Sequence, residues 1–520
     1  MRYALSVLLL LIAVLLASAC SRENNDASTA AQAPAAAEET VVVVEEDDET
    51  DDGELPLNTD SEEAGDLYVQ GEYLFDVGRN VQARAKFLAA IDADPGFARA
   101  YWGVSNVALS FNEFQEMLDA AREQVGEGDD SDLALIEVNA SFLTNSPAAG
   151  EAVAKTLVAE YPQSARARIL LAGMETANNE NLAARASYEA ALEIDPESPG
   201  ALMGLATNYL FSEPKDFDRA EAVIMRFNET YPNEARGYET LGDINRAQGD
   251  LEGALAAYQR AAQVDPTLEL ALHKQGHINS FLGNIDDARA SYDAAIEVAP
   301  PESKAGYAVY KCFTRIHEGN DSAAIDELEA LADNVASMGT PSDQVKGLQV
   351  FALTSAAQVA LDAGMYDRAL AIIERRNAIN MAIAEDVGTE DAARLQRANN
   401  LMWDGLLAAY QGNVEAAEQN AAEIASIVAN DDNPRKMEPV HWVLGMAALN
   451  EGDYADAVTE LRQADHANNM YIRFKLAQAL EGAGEVDEAM PLYQQVADFN
   501  FNSVGFALIG DEAEAKVSGG

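Results

Sequence analysis

Residues 242–266 read GDINRAQGDLEGALAAYQRAAQVDP, and residues 276–300 read GHINSFLGNIDDARASYDAAIEVAP. The two stretches share a small residue, a second small residue, an aromatic residue, a third small residue and a proline. In the first stretch these are Gly242, Ala254, Tyr258, Ala261 and Pro266, and in the second Gly276, Ala288, Tyr292, Ala295 and Pro300. Such self-similarity at a fixed spacing indicates an internal repeat, which decides the fold.

Three further copies extend the repeat towards the N-terminus. They are Gly71, Ala83, Phe87, Ala90 and Pro95; Ala172, Ala184, Tyr188, Ala191 and Pro196; and Ala206, Ala220, Ile224, Phe227 and Pro232. The last of these has two extra residues around Glu213-Pro214. Closing prolines from Pro162 to Pro300 therefore recur every 34 residues, with one interval of 36. A unit of this length accommodates two helices and their turns.

Each shared position has a physical role in a pair of helices. The small residue on the first helix lets the second helix approach closely, and the aromatic residue fills the gap to the next pair. The proline ends the second helix, because it lacks an N–H and clashes with the preceding turn. Gly249-Asp250 and Gly283-Asn284 are turn signals between the helices. The pattern predicts hairpins of two antiparallel helices stacked on one another.

This pattern resembles the tetratricopeptide repeat family, and the resemblance covers about residues 66–500. It implies an all-α, right-handed superhelical solenoid whose concave groove binds segments of other proteins, without a catalytic site and without a cofactor. We predict a signal peptide at residues 1–19 and a lipidated acidic linker at 20–65. A first array at 66–335 and a second array at 343–500 are joined by a loop at 336–342. A capping helix and its tail follow at 501–520.

The first 20 residues resemble a bacterial lipoprotein signal. Arg2 precedes an apolar run that ends in Leu16-Ala17-Ser18-Ala19-Cys20, and this run is too short to span a bilayer comfortably. The resemblance implies a diacylglyceryl group on Cys20, and Ser21 after it implies the outer membrane, where we expect the protein to face the periplasm. Ala17 departs from the family, where leucine is commoner. The alternative is an ordinary secretory signal with an incidental cysteine.

The charge is strongly acidic, with 34 Lys and Arg against 88 Asp and Glu and a formal net charge of -54. Such a surface repels phosphate backbones, so nucleic acid is excluded as a partner. Within residues 21–65, fifteen acidic residues face one basic residue, Arg22, which predicts an extended solvated tether. A docking strip for a basic partner is the other interpretation of that segment.

Motifs that carry chemistry are scarce. The sequence has no phosphate-binding glycine loop, no HExxH and no paired CxxC, and it contains five histidines. His273 and His277 lie four residues apart on one helix and could bind a divalent metal, with Glu239 and Asp243 one repeat earlier. A metal-dependent or metal-carrying protein is therefore an alternative, although the favoured interpretation has no metal. Cys312 remains without a partner if Cys20 carries lipid, and we expect a buried, inert thiol.

The family's hairpin geometry implies which side chains face the groove. The candidates are Glu239, Asp243, His273, His277, Phe281, Phe211, Tyr410, Trp442 and Phe474. An open strip of acidic and large apolar side chains predicts partners with basic or apolar segments. The competing interpretation is that these side chains pack within their own hairpins. A third hypothesis is a peptidoglycan- or glycan-binding module that uses Trp442 and Tyr410.

Overall fold

The computed structural model of the chain describes residues 53–519, except Glu127, Asn145 and Asp432. The predicted signal peptide and Cys20 lie outside the described residues, as does most of the acidic linker. Within the described part of the chain, all regular secondary structure is helical. The chain divides into two compact units, residues 1–244 and residues 245–520, and the structure describes the first from Gly53.

Unit 1 contains ten α-helices and most of an eleventh among its described residues. They are α1 (Glu62–Asp76), α2 (Asn80–Ala93), α3 (Ala98–Asn106), α4 (Phe111–Gln124), α5 (Asp130–Ala140), α6 (Pro147–Glu160), α7 (Ala165–Ala177), α8 (Asn181–Ile194), α9 (Pro199–Phe211), α10 (Phe217–Thr230) and α11 (Ala235–Ala247). Consecutive helices pair as antiparallel hairpins, which confirms the predicted all-α repeat fold. Helix α1 begins four residues before Asp66, because the Ser61 hydroxyl accepts a hydrogen bond from the Ala64 N–H and caps it.

Unit 2 continues with the last turn of α11 and fourteen further helices. They are α12 (Leu251–Val264), α13 (Glu269–Phe281), α14 (Ile285–Val298), α15 (Pro301–His317), α16 (Asp321–Asn334), α17 (Val345–Asp362), α18 (Tyr366–Val387), α19 (Glu390–Tyr410), α20 (Val414–Val428), α21 (Glu438–Glu451), α22 (Tyr454–Leu461), α23 (Met470–Gly482), α24 (Val486–Ala497) and α25 (Val504–Ser518). None of the helices within residues 53–519 combines the length and apolar character needed to cross a bilayer.

Contacts between small and aromatic residues fix the spacing of the hairpins. A Cβ atom added to Gly71 would lie 2.6 Å from the Phe87 ring, and one added to Gly103 would lie equally close to the same ring. Phe87 therefore lies between a glycine of its own hairpin and a glycine of the next. Gly276 has the same relation to Tyr292, at 2.7 Å. Small residues recur at these positions because the rings occupy the space that a larger side chain would need.

The boundary that the sequence suggested at 336–342 falls inside unit 2. A short 3₁₀ helix, Val335–Met338, begins there and ends at Gly339, whose φ of 84° favours glycine. One cluster of buried side chains continues across this loop, from Phe313 and Leu328 to Leu353. The structure thus places the division between units about 90 residues earlier, because the loop interrupts the repeat spacing without interrupting the core.

Cys312 lies in α15 with 5% of its surface exposed. It is a free thiol, and burial raises its pKa to about 12. A thiol held in its protonated form reacts poorly, since the thiolate is the nucleophile. These properties match the buried, inert cysteine that we expected from the sequence.

Replacing Gly276 by alanine should lower the free energy of unfolding by about 1–3 kcal/mol, because the added methyl group overlaps the Tyr292 ring. The control is Gly306→Ala in α15, where the added Cβ meets nothing within 4 Å. That substitution should raise helix stability by up to about 1 kcal/mol. Urea unfolding followed by circular dichroism measures both, and equal effects of the two substitutions would contradict the proposed role of Gly276.

Candidate partner-binding surfaces

The acidic positions predicted to line an open groove in unit 1 are buried. Glu239 is fully buried and Asp243 is 5% exposed. The Glu239 carboxylate lies 3.0 Å from the Arg236 guanidinium, one turn earlier on α11. Phe211, at the end of α9, is 38% exposed. The expectation of a solvent-facing acidic strip is therefore corrected, because at least one of its carboxylates is used in an ion pair inside the fold.

Side chains of α1 contact parts of unit 1 that are distant in the sequence. Arg166 on α7 lies 2.6 Å from the Asp76 carboxylate and 3.0 Å from that of Glu72. Burial raises the pKa of Asp76, while the adjacent Arg166 opposes that shift. Further along the chain, Glu234 accepts a hydrogen bond from the Tyr73 hydroxyl at 3.1 Å. The first hairpin thus binds helices that lie several hairpins away in the sequence.

His273 and His277 lie together on α13 in unit 2, as predicted, but inside a cage of aromatic side chains. Their ring centroids are 4.2 Å apart, and the ring of Tyr307 lies 4.4 Å from that of His273. Burial lowers the pKa of His273 to about 3 and that of His277 well below its ordinary value. Both imidazoles are therefore neutral at physiological pH.

The histidine pair offers limited support for a metal site. His273 Nδ1 and His277 Nε2 are buried and have no hydrogen-bond partner, and neutral imidazole is a metal ligand. Within the described ranges, no group of three or more His, Cys, Asp and Glu side chains could hold an ion together. Stable zinc sites take three or four protein ligands, so the pair alone supplies too few of the usual ligands.

Three of the aromatic residues predicted for the groove are in contact with other parts of unit 2. Phe474 is fully buried and packs against Tyr493, with ring centroids 5.4 Å apart. The Tyr410 hydroxyl shares a hydrogen bond with that of Tyr471. Phe281 lies edge-on to Phe506 of α25, at 5.4 Å. For these three residues, the competing interpretation of packing within the chain is the one that the structure shows.

Trp442 also packs within the chain, edge-on to Trp403 at 6.3 Å, but in addition it lines a pocket of about 290 Å³ in unit 2. The apolar part of the lining comes from Met402, Trp442 and Ile472, on the first helices of three successive hairpins. The polar part comes from Asn433, Arg435, Glu438, Asp465 and Asn469. The volume suits one or two side chains or a small ligand.

Charge at the Trp442 pocket favours an incoming cationic group. Arg435 lies 2.7 Å from both the Glu438 and the Asp465 carboxylates, so two negative charges share one positive charge. The remaining negative charge attracts a cation. The Trp442 Nε1 atom is buried without a hydrogen-bond partner, so this donor is covered by the protein and is not open to a ligand.

The polar side of this pocket could not be recognised from the repeat spacing. Asn433 and Arg435 lie between α20 and α21, and Asp465 and Asn469 lie between α22 and α23. Repeat spacing locates residues within helices, whereas these side chains are placed by the connections between hairpins. The run Asn433-Pro434-Arg435-Lys436 is a rare local concentration of positive charge and could have drawn attention to the region.

Comparisons with known proteins agree with the hairpin geometry. Family models described as tetratricopeptide repeat match residues 68–132, 144–199, 443–502 and 270–302, and one described as TPR repeat matches residues 242–280. No curated protein matches the chain. The matched segments occur in both units.

Two solved structures are similar to parts of the chain. One is YrrB, described as a TPR protein with an unusual peptide-binding site, with 22% identity and a TM-score of 0.28 over 35% of this chain and 91% of that one. The other is a tetratricopeptide repeat protein from Parabacteroides merdae, with 14% identity and a TM-score of 0.31 over 55% of this chain and 97% of that one.

The stacked hairpins and their glycine–aromatic contacts define a helical-repeat protein. With the family matches in both units, the chain is a tetratricopeptide repeat protein. Repeats of this family suggest a protein–protein interaction scaffold.

The buried histidines predict a specific dependence of stability on pH. The His273 pKa is lowered to about 3 in the folded chain. Below about pH 6.5 the His273 imidazole is therefore protonated in the unfolded chain but stays neutral in the folded chain. The contribution of His273 to stability is complete above pH 6.5 and is lost on acidification, by about 1.4 kcal/mol per pH unit. His273→Phe should lower the slope between pH 6.5 and 4.5 by this contribution, whereas His277, whose pKa is also lowered by burial, should keep its own.

Urea unfolding of the full chain at several pH values tests this expectation. Tyr307→Phe is the control, since it removes a hydroxyl group from the same cluster and leaves the imidazole in place. The pH dependence of the control should match that of the unmodified chain. If His273→Phe leaves the slope unchanged, His273 is charged in the folded state and the interpretation fails.

Proposed function

We propose that the chain is a non-catalytic scaffold, anchored by lipid on Cys20 to the periplasmic face of the outer membrane, that recruits segments of other proteins. Support for the anchor comes from the segment Leu16 to Cys20, and support for a tether comes from the acidic linker that follows it. Support for recruitment comes from tandem tetratricopeptide hairpins in both units. Such a scaffold suits envelope assembly, pilus biogenesis, polysaccharide export or control of cell-wall enzymes.

The Trp442 pocket is the observation that carries the proposal of partner binding. It combines buried apolar side chains, Met402 and Ile472, with an indole and a rim in which Glu438 and Asp465 outnumber Arg435. The indole is half-buried, and an aromatic side chain that is partly accessible beside a charged rim is typical of interaction sites. The partner segment would insert an apolar or basic side chain, which agrees with the chain's overall negative charge.

A glycan is the second candidate ligand for the same pocket. The arrangement in its favour is an aromatic ring beside the side-chain amides of Asn433 and Asn469, which can exchange hydrogen bonds with hydroxyl groups. Binding to isolated peptidoglycan sacculi, measured for the full chain and for Trp442→Ala, distinguishes this function from protein recruitment. Trp442-dependent binding to sacculi would favour the glycan.

Photo-crosslinking in cells tests protein recruitment directly. A photoreactive amino acid at Asn433, on the pocket rim, should form adducts with a partner protein, and Trp442→Ala should reduce their yield about tenfold or more, as for aromatic hot spots. The matched controls are the same photoreactive residue at Leu182, which is 67% exposed on α8, and the exposed-aromatic variant Phe111→Ala. Adducts at Asn433 that persist in Trp442→Ala would overturn the assignment to this pocket.

Lipid anchoring has its own test. Cys20→Ala removes the thiol that would carry the diacylglyceryl group, so the protein should leave the membrane fraction and should no longer incorporate labelled palmitate. Cys312→Ala is the control, because that thiol is buried in α15. Membrane association that survives the loss of Cys20 would contradict the proposed anchor.

A further inference from the structure

The C-terminal segment of unit 2 does more than cover the last hairpin. Helix α25 places Ile509 and Ala513 in the core formed with α23 and α24, as a terminal cap requires. The residues that precede it, 499–503, lack regular secondary structure. They contact helices at the start of unit 2, and Asn502 hydrogen-bonds a residue 210 positions earlier in the chain.

Arg246 binds the backbone and one ring of this segment. Its guanidinium donates a hydrogen bond to the Asn500 carbonyl at 2.9 Å, and the Asn500 side chain donates to the Arg246 carbonyl at 3.2 Å. The guanidinium carbon also lies 3.6 Å from the centre of the Phe501 ring, within the range of a cation–π interaction. The two reciprocal hydrogen bonds fix the position and direction of the segment.

Helices α13, α14 and α15 bind the next part of the segment. The Asn502 amide donates to the Tyr292 hydroxyl at 3.0 Å, and its oxygen lies 3.5 Å from His317 Nε2. One turn into α25, Phe506 is 6% exposed and lies edge-on to Phe281. Two asparagines and one buried phenylalanine therefore provide most of the specific contacts.

These contacts have the character of peptide recognition. They consist of hydrogen bonds to backbone and amide groups, one aromatic anchor, and a second ring, Phe501, that remains 46% exposed. Peptide recognition can likewise combine main-chain hydrogen bonds with pockets for individual side chains. Among residues 499–503, Asn502 alone is buried, and segments with few buried residues open at a lower free-energy cost than the core does.

We propose that Arg246, Phe281, Tyr292 and His317 form a peptide-binding surface, which residues 499–506 occupy in cis until a partner replaces them. The partner would present the same chemistry: a segment of low net charge with an aromatic residue, an asparagine, and a phenylalanine four residues after it. This inference rests on the proposed function in assuming that the repeats bind partner segments, and it concerns a second surface, separate from the Trp442 pocket.

Occupation in cis lowers the affinity for any segment supplied in trans. The apparent dissociation constant equals the intrinsic one divided by the fraction of molecules in which the surface is free. A segment that is released in a tenth of the molecules or fewer therefore weakens partner binding at least tenfold. Substitutions that loosen the segment should recover this factor.

The test measures binding of a fluorescein-labelled peptide of residues 497–512 to the purified full chain by fluorescence anisotropy. The variant Asn502→Ala with Phe506→Ala should bind the peptide at least ten times more tightly than the unmodified chain. The matched control is Phe111→Ala with Asn112→Ala, an exposed phenylalanine–asparagine pair on α4, which should bind like the unmodified chain. Adding Phe281→Ala to the loosened variant should abolish binding.

Three results would overturn the inference. The loosened variant binds no more tightly than the unmodified chain, or binding survives Phe281→Ala, or light scattering shows that the loosened variant forms dimers without binding peptide. In the last case a second copy of the chain, and no partner, occupies the surface.

A second measurement applies if the loosened variant unfolds. Excess peptide added to the unmodified chain should then increase hydrogen exchange of the backbone amides near the start of α25, and unchanged exchange would overturn the inference. Peptide exchange requires no cellular partner, so its failure leaves the crosslinking result at Asn433 intact. Absence of crosslinked partners, in turn, would count against the proposed function while leaving peptide exchange valid.

Discussion

The fold depends on contacts in which an aromatic ring occupies the space that a side chain would otherwise fill. Phe87 shows the constraint most directly, because Gly71 and Gly103 both face its ring at distances that exclude even a methyl group. Tyr188 and Gly204 repeat the arrangement further along the chain. Each ring thus joins a small residue on another helix, and the stack can continue only where these small residues recur.

The same constraint explains how much could be predicted from the sequence. Contacts between neighbouring hairpins recur at fixed spacing, so the five small and aromatic positions revealed the helices, the turns and the family. Contacts between distant hairpins follow no period. The pairing of Arg166 with Asp76, or of Asn502 with Tyr292, depends on where the stacked helices return in space. Open, groove-facing side chains were therefore expected, and several of those residues were found buried or packed against other helices.

Candidate site residues could be predicted from the sequence where they lie at repeat positions within helices. Trp442 was recognised because it lies within a helix at a repeat position, whereas Arg435 and Asp465 come from irregular connections. His273 and His277 were correctly placed side by side by helical geometry, but their burial by Tyr307 and other rings required the structure. Repeat spacing predicts which helix, and which face of that helix, a residue occupies. Side chains at positions outside the repeat pattern decide whether that face is exposed to solvent.

Scarce positive charges are placed mainly where they join helices. Arg289 on α14 binds Glu327 on α16 through both of its terminal nitrogens, at 3.1 Å. Arg368 on α18 contacts Glu329, which also lies on α16, at 2.6 Å. Bidentate pairs of this kind fix orientation as well as charge. In a chain with so large an excess of acidic residues, each such arginine also relieves repulsion between neighbouring carboxylates.

The protonated, buried thiol of Cys312 has a consequence for the chain under oxidising conditions. A lone accessible cysteine would then form mixed disulfides and covalent dimers, since no second cysteine in residues 53–519 could pair with it. Because its sulfur is covered and holds its proton, oxidation can reach it only when α15 opens. Modification of Cys312 would therefore identify molecules in which the packing around α15 has opened.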